Sequence, residues 1–269
     1  MGRRLAVPCP APGARYAGKA SPMFTLTLIG IGSGNPDHLT RQAMRAMNAA
    51  DLILIPHKGE GKADLADLRR AIVAEVVTNP ATRIATFDLP SRDETIADYR
   101  ARVDLWHDTI AAIWARTIAA AGSPPRVALL VWGDPSLYDS TLRIAARLQP
   151  APQIEVIPGI TSIQALTAAH ALPLNEINGP VVITTGRRLR DEGFPPGCDT
   201  CVVMLDGACS FQTLPPEGLQ IWWAAYAGMT EQITEAGPLA EAGPRILARR
   251  TAARAAHGWI MDIYLLRRN

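Results

Sequence analysis

Three glycine-bearing turns carry the residue types of this chain that could do chemistry: Gly30-Ile31-Gly32-Ser33-Gly34, Gly133-Asp134-Pro135 and Pro158-Gly159-Ile160-Thr161-Ser162. A glycine turn leaves main-chain N–H and C=O groups bare and lets a ligand approach the backbone. A cradle for a dinucleotide's phosphates needs G-x-G-x-x-G running straight into a helix. Here the spacing is Gly30-x-Gly32-x-Gly34, Pro36 follows, and the helical pattern starts only near His38 or Leu39. Asp51 lies about 20 residues on, where that fingerprint has its ribose-binding acid, but it precedes its apolar run instead of ending it. A nicotinamide- or flavin-dependent oxidoreductase, a nucleotide sensor, or a turn with no ligand stay open as readings of the first loop alone.

The second and third turns shift the balance. Each ends an apolar run, as expected at the carboxyl edge of an open α/β sheet, where ligands bind. Gly133 exposes the main chain, Pro135 stiffens the loop, and Thr161 with Ser162 has the residue types that cap a helix. Three such turns on one edge suggest one shared cleft. Candidate acid–base groups lie close by in sequence: Tyr138 and Asp139 past the second turn, and His57 and Glu60 after an early strand. His57 has the side chain whose ordinary titration range spans neutrality. Arg187, Arg188 and Arg190 in TTGRRLR offer forked donors for carboxylates, with Lys58 and Lys62 on another loop.

The elements that must position these groups alternate. Residues 24–31, 51–56, the TRIATFDLP segment, the run before Trp132 and QIEVI read as strands. Between them 39–50, 64–77, 93–121 and 141–148 have helical spacing, and another helix opens near Ser162. Continuous apolar strands with helices between them predict a mostly parallel sheet covered on both faces. The second half changes character: PVVITTG, TCVVMLD, LQIWWAAYA, PRILARR and GWIMDIYLLRR give five strand candidates and a mixed sheet. The fold class expected is thus two α/β domains with a ligand cleft between them, divided near Pro158-Gly159 into 23–158 and 159–269. The Pro-, Gly- and Ala-rich residues 1–22 read as a flexible extension.

Composition narrows the partners. The 269 residues carry 27 Lys and Arg against 25 Asp and Glu, a formal +2, with 48% hydrophobic residues. That charge is too small to imply a nucleic-acid partner, and no basic stripe points to RNA. No run of eighteen apolar residues exists to span a membrane. Cys9, Cys198, Cys201 and Cys209 are too few for a disulfide framework, which fits a reducing, cytoplasmic setting, and no histidine near the last three completes a metal site, so no metal is expected.

Taken in order, the three turns resemble the motifs of the tetrapyrrole (corrin/porphyrin) methylase family. The first appears as Gly30-Ile-Gly32-Ser-Gly34-Asn-Pro-Asp-His-Leu39-Thr40, the second as Gly133-Asp134-Pro135-Ser136-Leu137-Tyr138, the third as Pro158-Gly159-Ile160-Thr161-Ser162. The resemblance runs from about Phe24 to the end. Many members carry Pro where this chain has Ser33; with IPHKGEGKADLADLRR, AAYAGMTEQI and DIYLLRR, that points to a branch that removes an acetyl group while methylating.

The resemblance implies S-adenosylmethionine (SAM) bound between two domains and leaving as S-adenosylhomocysteine. It places Trp132, Gly133, Asp134 and Leu137 along the methionine and ribose, then Thr161 and Ser162, with Leu205 and Ala227 or Gly228 around the adenine. Gly32, Ser33 and Gly34 would shape the substrate side, and Arg187 and Arg188 would hold substrate carboxylates. It further implies a homodimer and C-methylation of precorrin-5 at C-1 with release of acetate. Another precorrin or uroporphyrinogen is the alternative substrate within the fold, and a ribosomal RNA or diphthamide is a more distant one. Methyl transfer from a sulfonium needs alignment more than a covalent nucleophile, and positioning is worth about 7–11 kcal/mol. Acetyl removal needs water and proton transfer, hence the interest in Tyr138, Asp139 and His57.

Overall fold

The computed structural model describes residues 24–57 and 64–268; Cys9, Lys58, Glu60, Lys62 and the 1–22 extension lie outside the described residues. The first half forms a five-stranded, all-parallel sheet in the order β3-β2-β4-β1-β5. Its strands are β1 (Thr25–Gly30), β2 (Leu52–His57), β3 (Arg83–Asp88), β4 (Arg126–Val131) and β5 (Gln153–Ile157). The central strands are apolar because both faces are covered, and alternate residues face opposite layers. Leu26, Leu28, Leu52 and Leu54 pack with Trp114 and Ile118 on one face. Ile29, Ile53 and Ile55 pack with Met47 and Ile72 on the other.

Four helices join these strands: α1 (Arg41–Ala49), α2 (Asp64–Val76), α3 (Tyr99–Ala120) and α4 (Thr141–Ala145). Thr40 caps α1, its hydroxyl oxygen accepting from the Ala43 N–H at 3.0 Å, so the first glycine loop ends before the helix begins. The long helix expected over 93–121 starts only at Tyr99. Asp93 is spent on a turn of its own, accepting from the Thr95 N–H at 3.0 Å, and Asp98 takes the cap instead.

The second half forms a mixed sheet in the order β6-β7-β10-β8-β9, in which β6 and β7 alone run parallel. It comprises β6 (Val181–Thr185), β7 (Thr200–Met204), β8 (Leu219–Ala225), β9 (Ile233–Pro238) and β10 (Asp262–Arg268). Helices α5 (Ser162–Ala169), α6 (Gly186–Glu192) and α7 (Leu239–His257) accompany it. One strand expectation fails: PRILARR lies inside α7, and ITEAGP supplies the fifth strand. The helix buries Leu239, Ala242, Gly243, Ile246 and Ala253, a spacing of three and four that Pro244 disguises. Proline within a helix removes one hydrogen bond, and here the buried face overrides that cost. Glu235 of β9 ties the two together, taking Arg249 at 2.8 Å and Arg245 at 3.1 Å.

Trp222 and Trp223 point to opposite faces as adjacent strand residues must: Trp223 is fully buried and Trp222 half-buried. Cys201 and Cys209 lie in the second core, where burial pushes their thiols up to about 12 and about 11. Among the described residues no helix is long and apolar enough to cross a membrane.

Candidate active site

The three glycine turns meet at the carboxyl edge of the first sheet. Gly32 and Gly133 form an antiparallel bridge, Gly133 N–H donating to the Gly32 carbonyl at 2.8 Å. Gly159 packs against both Gly30 and Gly133; a Cβ on Gly30 would stand 2.6 Å from the Gly159 nitrogen, and one on Gly159 would overlap the Gly133 carbonyl oxygen. Only glycine allows that approach. Asp134 fastens the knot: one carboxylate oxygen accepts from the Gly159 N–H at 2.9 Å, the other from the Ser136 N–H at 2.8 Å and the Ser136 hydroxyl. Partial burial pushes the Asp134 carboxyl up, but the bonds from Ser136 and Gly159 outweigh it and hold it below its ordinary value.

Above this knot a cavity of about 240 Å³ opens between the sheets. Ser33, Trp132 and Ser162 line it from the knot side; Met204, Leu205, Asp206, Ala227 and Met261 line it from the second sheet. The Ser33 hydroxyl donates to the Ala227 carbonyl at 2.7 Å and is buried, so the first loop is sewn to the turn after β8. Leu205 keeps a left-handed backbone at φ 54 and leaves 68% of its surface open beside the cavity. Tyr226, which also lines the cavity, sits in the same backbone region at φ 50, as does Tyr138 at φ 49 in the loop after Gly133.

The tetrapyrrole (corrin/porphyrin) methylase family profile matches residues 25–243. The chain belongs to the tetrapyrrole methylases. It is 48% identical over 251 residues to a precorrin-6A synthase (deacetylating) of Sinorhizobium sp., covering 91% of this chain and 96% of that one. The fold superposes on a cobalamin-synthesis-related protein (CobF) of Corynebacterium diphtheriae with a TM-score of 0.77 at 38% identity, over 91% and 99% of the two chains. A Thermus thermophilus uroporphyrin-III C-methyl transferase, in complex with S-adenyl homocysteine, shares the fold at a TM-score of 0.56 and 17% identity, over 90% and 96%.

In this methylase the candidate residues separate into four groups. Ser33, Trp132, Ser162, Leu205 and Ala227 line the cavity between the sheets. Gly32, Gly133, Asp134 and Thr161 shape it from behind: Thr161 caps α5 in a reciprocal box with Gln164. Leu137 packs against Ile163, Leu166 and Val202 of the second sheet's core. Gly34 and Gly228 border a wider neighbouring opening of about 450 Å³.

The acid–base candidates stand at the same edge, each with its own partner. His57 ends β2 with Nδ1 at 3.1 Å from Asp88. The Tyr138 hydroxyl donates to the Ile183 carbonyl at 3.2 Å, bridging the sheets, and burial pushes that phenol up. Asp139 accepts from the Thr141 N–H at 2.6 Å and from the Thr141 hydroxyl. The arginines of TTGRRLR lie on α6: Arg188 pairs with Glu192 at 2.7 Å, Arg190 with Asp191 at 2.9 Å, and Arg187 stands 5.4 Å from the Tyr99 ring centre. Asp51 lies at the opposite, amino end of β2 in an ion pair with Arg126, which removes it from any ligand at the carboxyl edge.

Sequence reasoning missed the polar floor of the cavity. Asp206, buried at the end of β7, accepts from the Tyr264 hydroxyl at 2.6 Å, the Ser210 N–H at 2.5 Å and the Ser210 hydroxyl at 2.9 Å. Burial and this carboxylate both push the Tyr264 phenol far up, so it stays a donor. Arg250 pairs with Asp262 at 2.9 Å, and Asp262 also accepts from the Trp223 indole N–H at 2.9 Å. Gly186 opens α6 where any Cβ would overlap the Asp206 carboxyl group. Ser210 apart, which is four residues on from Asp206, the partners are far apart in the chain, so no local spacing announces them.

Proposed function

We propose that this chain is a SAM-dependent C-methyltransferase that methylates precorrin-5 at C-1 and releases acetate, giving precorrin-6A. The observation that carries the reading is the 48% identity to a precorrin-6A synthase (deacetylating) across nearly both full chains. The cavity between the sheets fits the cofactor. Leu205, Met204 and Met261 offer an apolar face for a flat base, and Leu205 is a large apolar residue left exposed there until something covers it. At the other end Ser33 and Ser162 supply hydroxyls beside the glycine backbone.

When bound, the cofactor supplies an electrophilic methyl group. The chain's own residues then have positioning work. Trp132 and the knotted glycines fix the methyl-bearing end, Asp134 keeps the second and third turns in register, and Ser33 holds the two sheets at one separation. Tyr138, Asp139 and His57 are the groups at this edge able to handle the protons of acetyl removal, and Arg187 and Arg188 carry the charge that attracts a polycarboxylate.

The chain works as two domains divided at Pro158-Gly159, in support of which α5, the first helix after that point, packs against Val202, Ala224 and Leu265 of the second sheet. It acts as a cytoplasmic homodimer; Ile154, Val156 and Ile160, exposed on and just beyond the edge strand β5, support a self-contact. Neither nucleic acid nor membrane is a partner. Titration calorimetry with S-adenosylhomocysteine and with NAD tests the cofactor: binding of the first alone is expected, and binding of NAD alone would return the first loop to a nucleotide role. Light scattering tests the dimer, with a monomer at micromolar concentration overturning it.

A further inference from the structure

A smaller cavity of about 150 Å³ lies on the other side of Trp132, which lines both spaces. Its walls are aromatic: Trp106 and Trp114 from α3 and Phe87 from β3. Arg69 of α2 lines it as well, with Asp139 at the rim. The Arg69 Nε donates to the Leu130 carbonyl at 3.1 Å. Burial brings that guanidinium down to about 10, with Asp139 opposing, so it is still a cation at neutral pH. Trp114 is 2% exposed, and its indole N–H has no partner among the described residues. A buried donor left without an acceptor is destabilising. An unpartnered indole N–H in a cavity wall that a half-buried guanidinium shares calls for a small acceptor.

We propose that this cavity is the acyl pocket, where Arg69 and the Trp114 N–H hold the oxygens of the departing acetyl group as a carboxylate while the aromatic walls take its methyl. The inference rests on the deacetylating reading above. Its geometry explains how one site handles two groups: methyl donor on one side of Trp132, two-carbon leaving group on the other. In balance one water is consumed. Its oxygen joins the acyl carbon, and the bond from that carbon to the ring carbon breaks. The ring carbon's electron pair enters the new bond to the methyl as the methyl–sulfur bond breaks and S-adenosylhomocysteine leaves with that bond's pair. Acetate and two protons are released. Asp139, at the rim, is the carboxylate nearest to receive a proton from that water. Arg69, outside the three glycine turns but within the IPHKGEGKADLADLRR stretch, is a substrate-touching residue in this account.

The test titrates carbon-13 acetate into the full chain saturated with S-adenosylhomocysteine, observed by NMR. The wild type is expected to bind acetate, with contacts from the acetate methyl to indole protons. Arg69→Met and Trp114→Phe are each expected to weaken acetate at least tenfold while S-adenosylhomocysteine affinity stays within twofold. Trp114→Phe keeps an aromatic ring and deletes the N–H, so it serves if Arg69→Met does not fold. No acetate binding to the wild type, or unchanged binding in a folded variant, overturns the pocket. Turnover of precorrin-5 by the wild type is measured alongside. If precorrin-5 is consumed and the acetate titration fails, the pocket falls and the substrate reading stands. If precorrin-5 is untouched while both variants lose acetate, the pocket stands and the substrate reading falls.

Discussion

On the first sheet's side of the cleft, shape is set by backbone. Gly30, Gly133 and Gly159 touch through main-chain atoms, and Asp134 acts by bonding N–H groups. On the second sheet's side, shape is set by side chains from distant positions: Asp206 with Tyr264, Arg250 with Asp262, Asp262 with Trp223. The first wall cannot adjust, because a missing Cβ has no substitute. The second is a satisfied polar network that holds an apolar lining in place. In the function proposed above, alignment for methyl transfer is assigned to the rigid wall, and the chemical character of the cofactor's other end to the network.

Four substitutions break or sharpen this contrast, in falling order of effect. Gly159→Ala forces a Cβ onto the Gly133 carbonyl; we expect a loss of about 3 kcal/mol, read as a fall of about 9 °C in Tm, with S-adenosylhomocysteine binding abolished. A variant that kept both would show that the knot yields. Arg250→Met leaves Asp262 with the Trp223 N–H and no cation, in a pair only 14% and 8% exposed. The expected cost is about 2 kcal/mol, the range of a hydrogen bond to a charged group, seen in urea unfolding, with cofactor binding weakened less than in the glycine variant.

Asp134→Ala unties the Gly159 and Ser136 N–H groups, for about 1.5 kcal/mol and a tenfold or greater loss of S-adenosylhomocysteine affinity by calorimetry. Its pH signature has a definite sign. A carboxylate held below its ordinary 3.8 contributes stability that is present above that value and is lost as pH falls through the folded-state value. The Tm gap between wild type and Asp134→Ala should be full at neutral pH and close below pH 3.8. A gap constant down to acid pH would contradict the role. The smallest effect is Ser33→Ala, which removes one buried bond between the walls: about 1 kcal/mol, with a modest rise in Kd for S-adenosylhomocysteine.

The same contrast explains how much the sequence reveals. Strands ending in glycine turns are local, so the parallel sheet, its edge and the three loops were legible, as was the mismatch of Gly30-x-Gly32-x-Gly34 to a dinucleotide cradle. Asp134 was legible as a residue that matters, but its work lies in binding the Gly159 N–H, 25 positions away in sequence. Asp206, Arg250 and Asp262 gave no signal, since each is explained by a partner that only the fold brings near. Arg69 was hidden for a different reason: one of two adjacent arginines on a helix, it reads as solvated charge until its place in a cavity wall is seen. α7 was misread because Gly243 on its buried face and Pro244 on its exposed side are helix breakers in the stretch that would otherwise announce a helix.

The central claim, methylation of a ring carbon with loss of its acetyl group in one cleft, is tested most directly by anaerobic incubation of the chain with precorrin-5 and methyl-labelled SAM, followed by mass analysis of the product and quantification of acetate. The account predicts one labelled methyl gained and one acetate released per macrocycle. Precorrin-5 recovered unchanged in the presence of bound cofactor would contradict it.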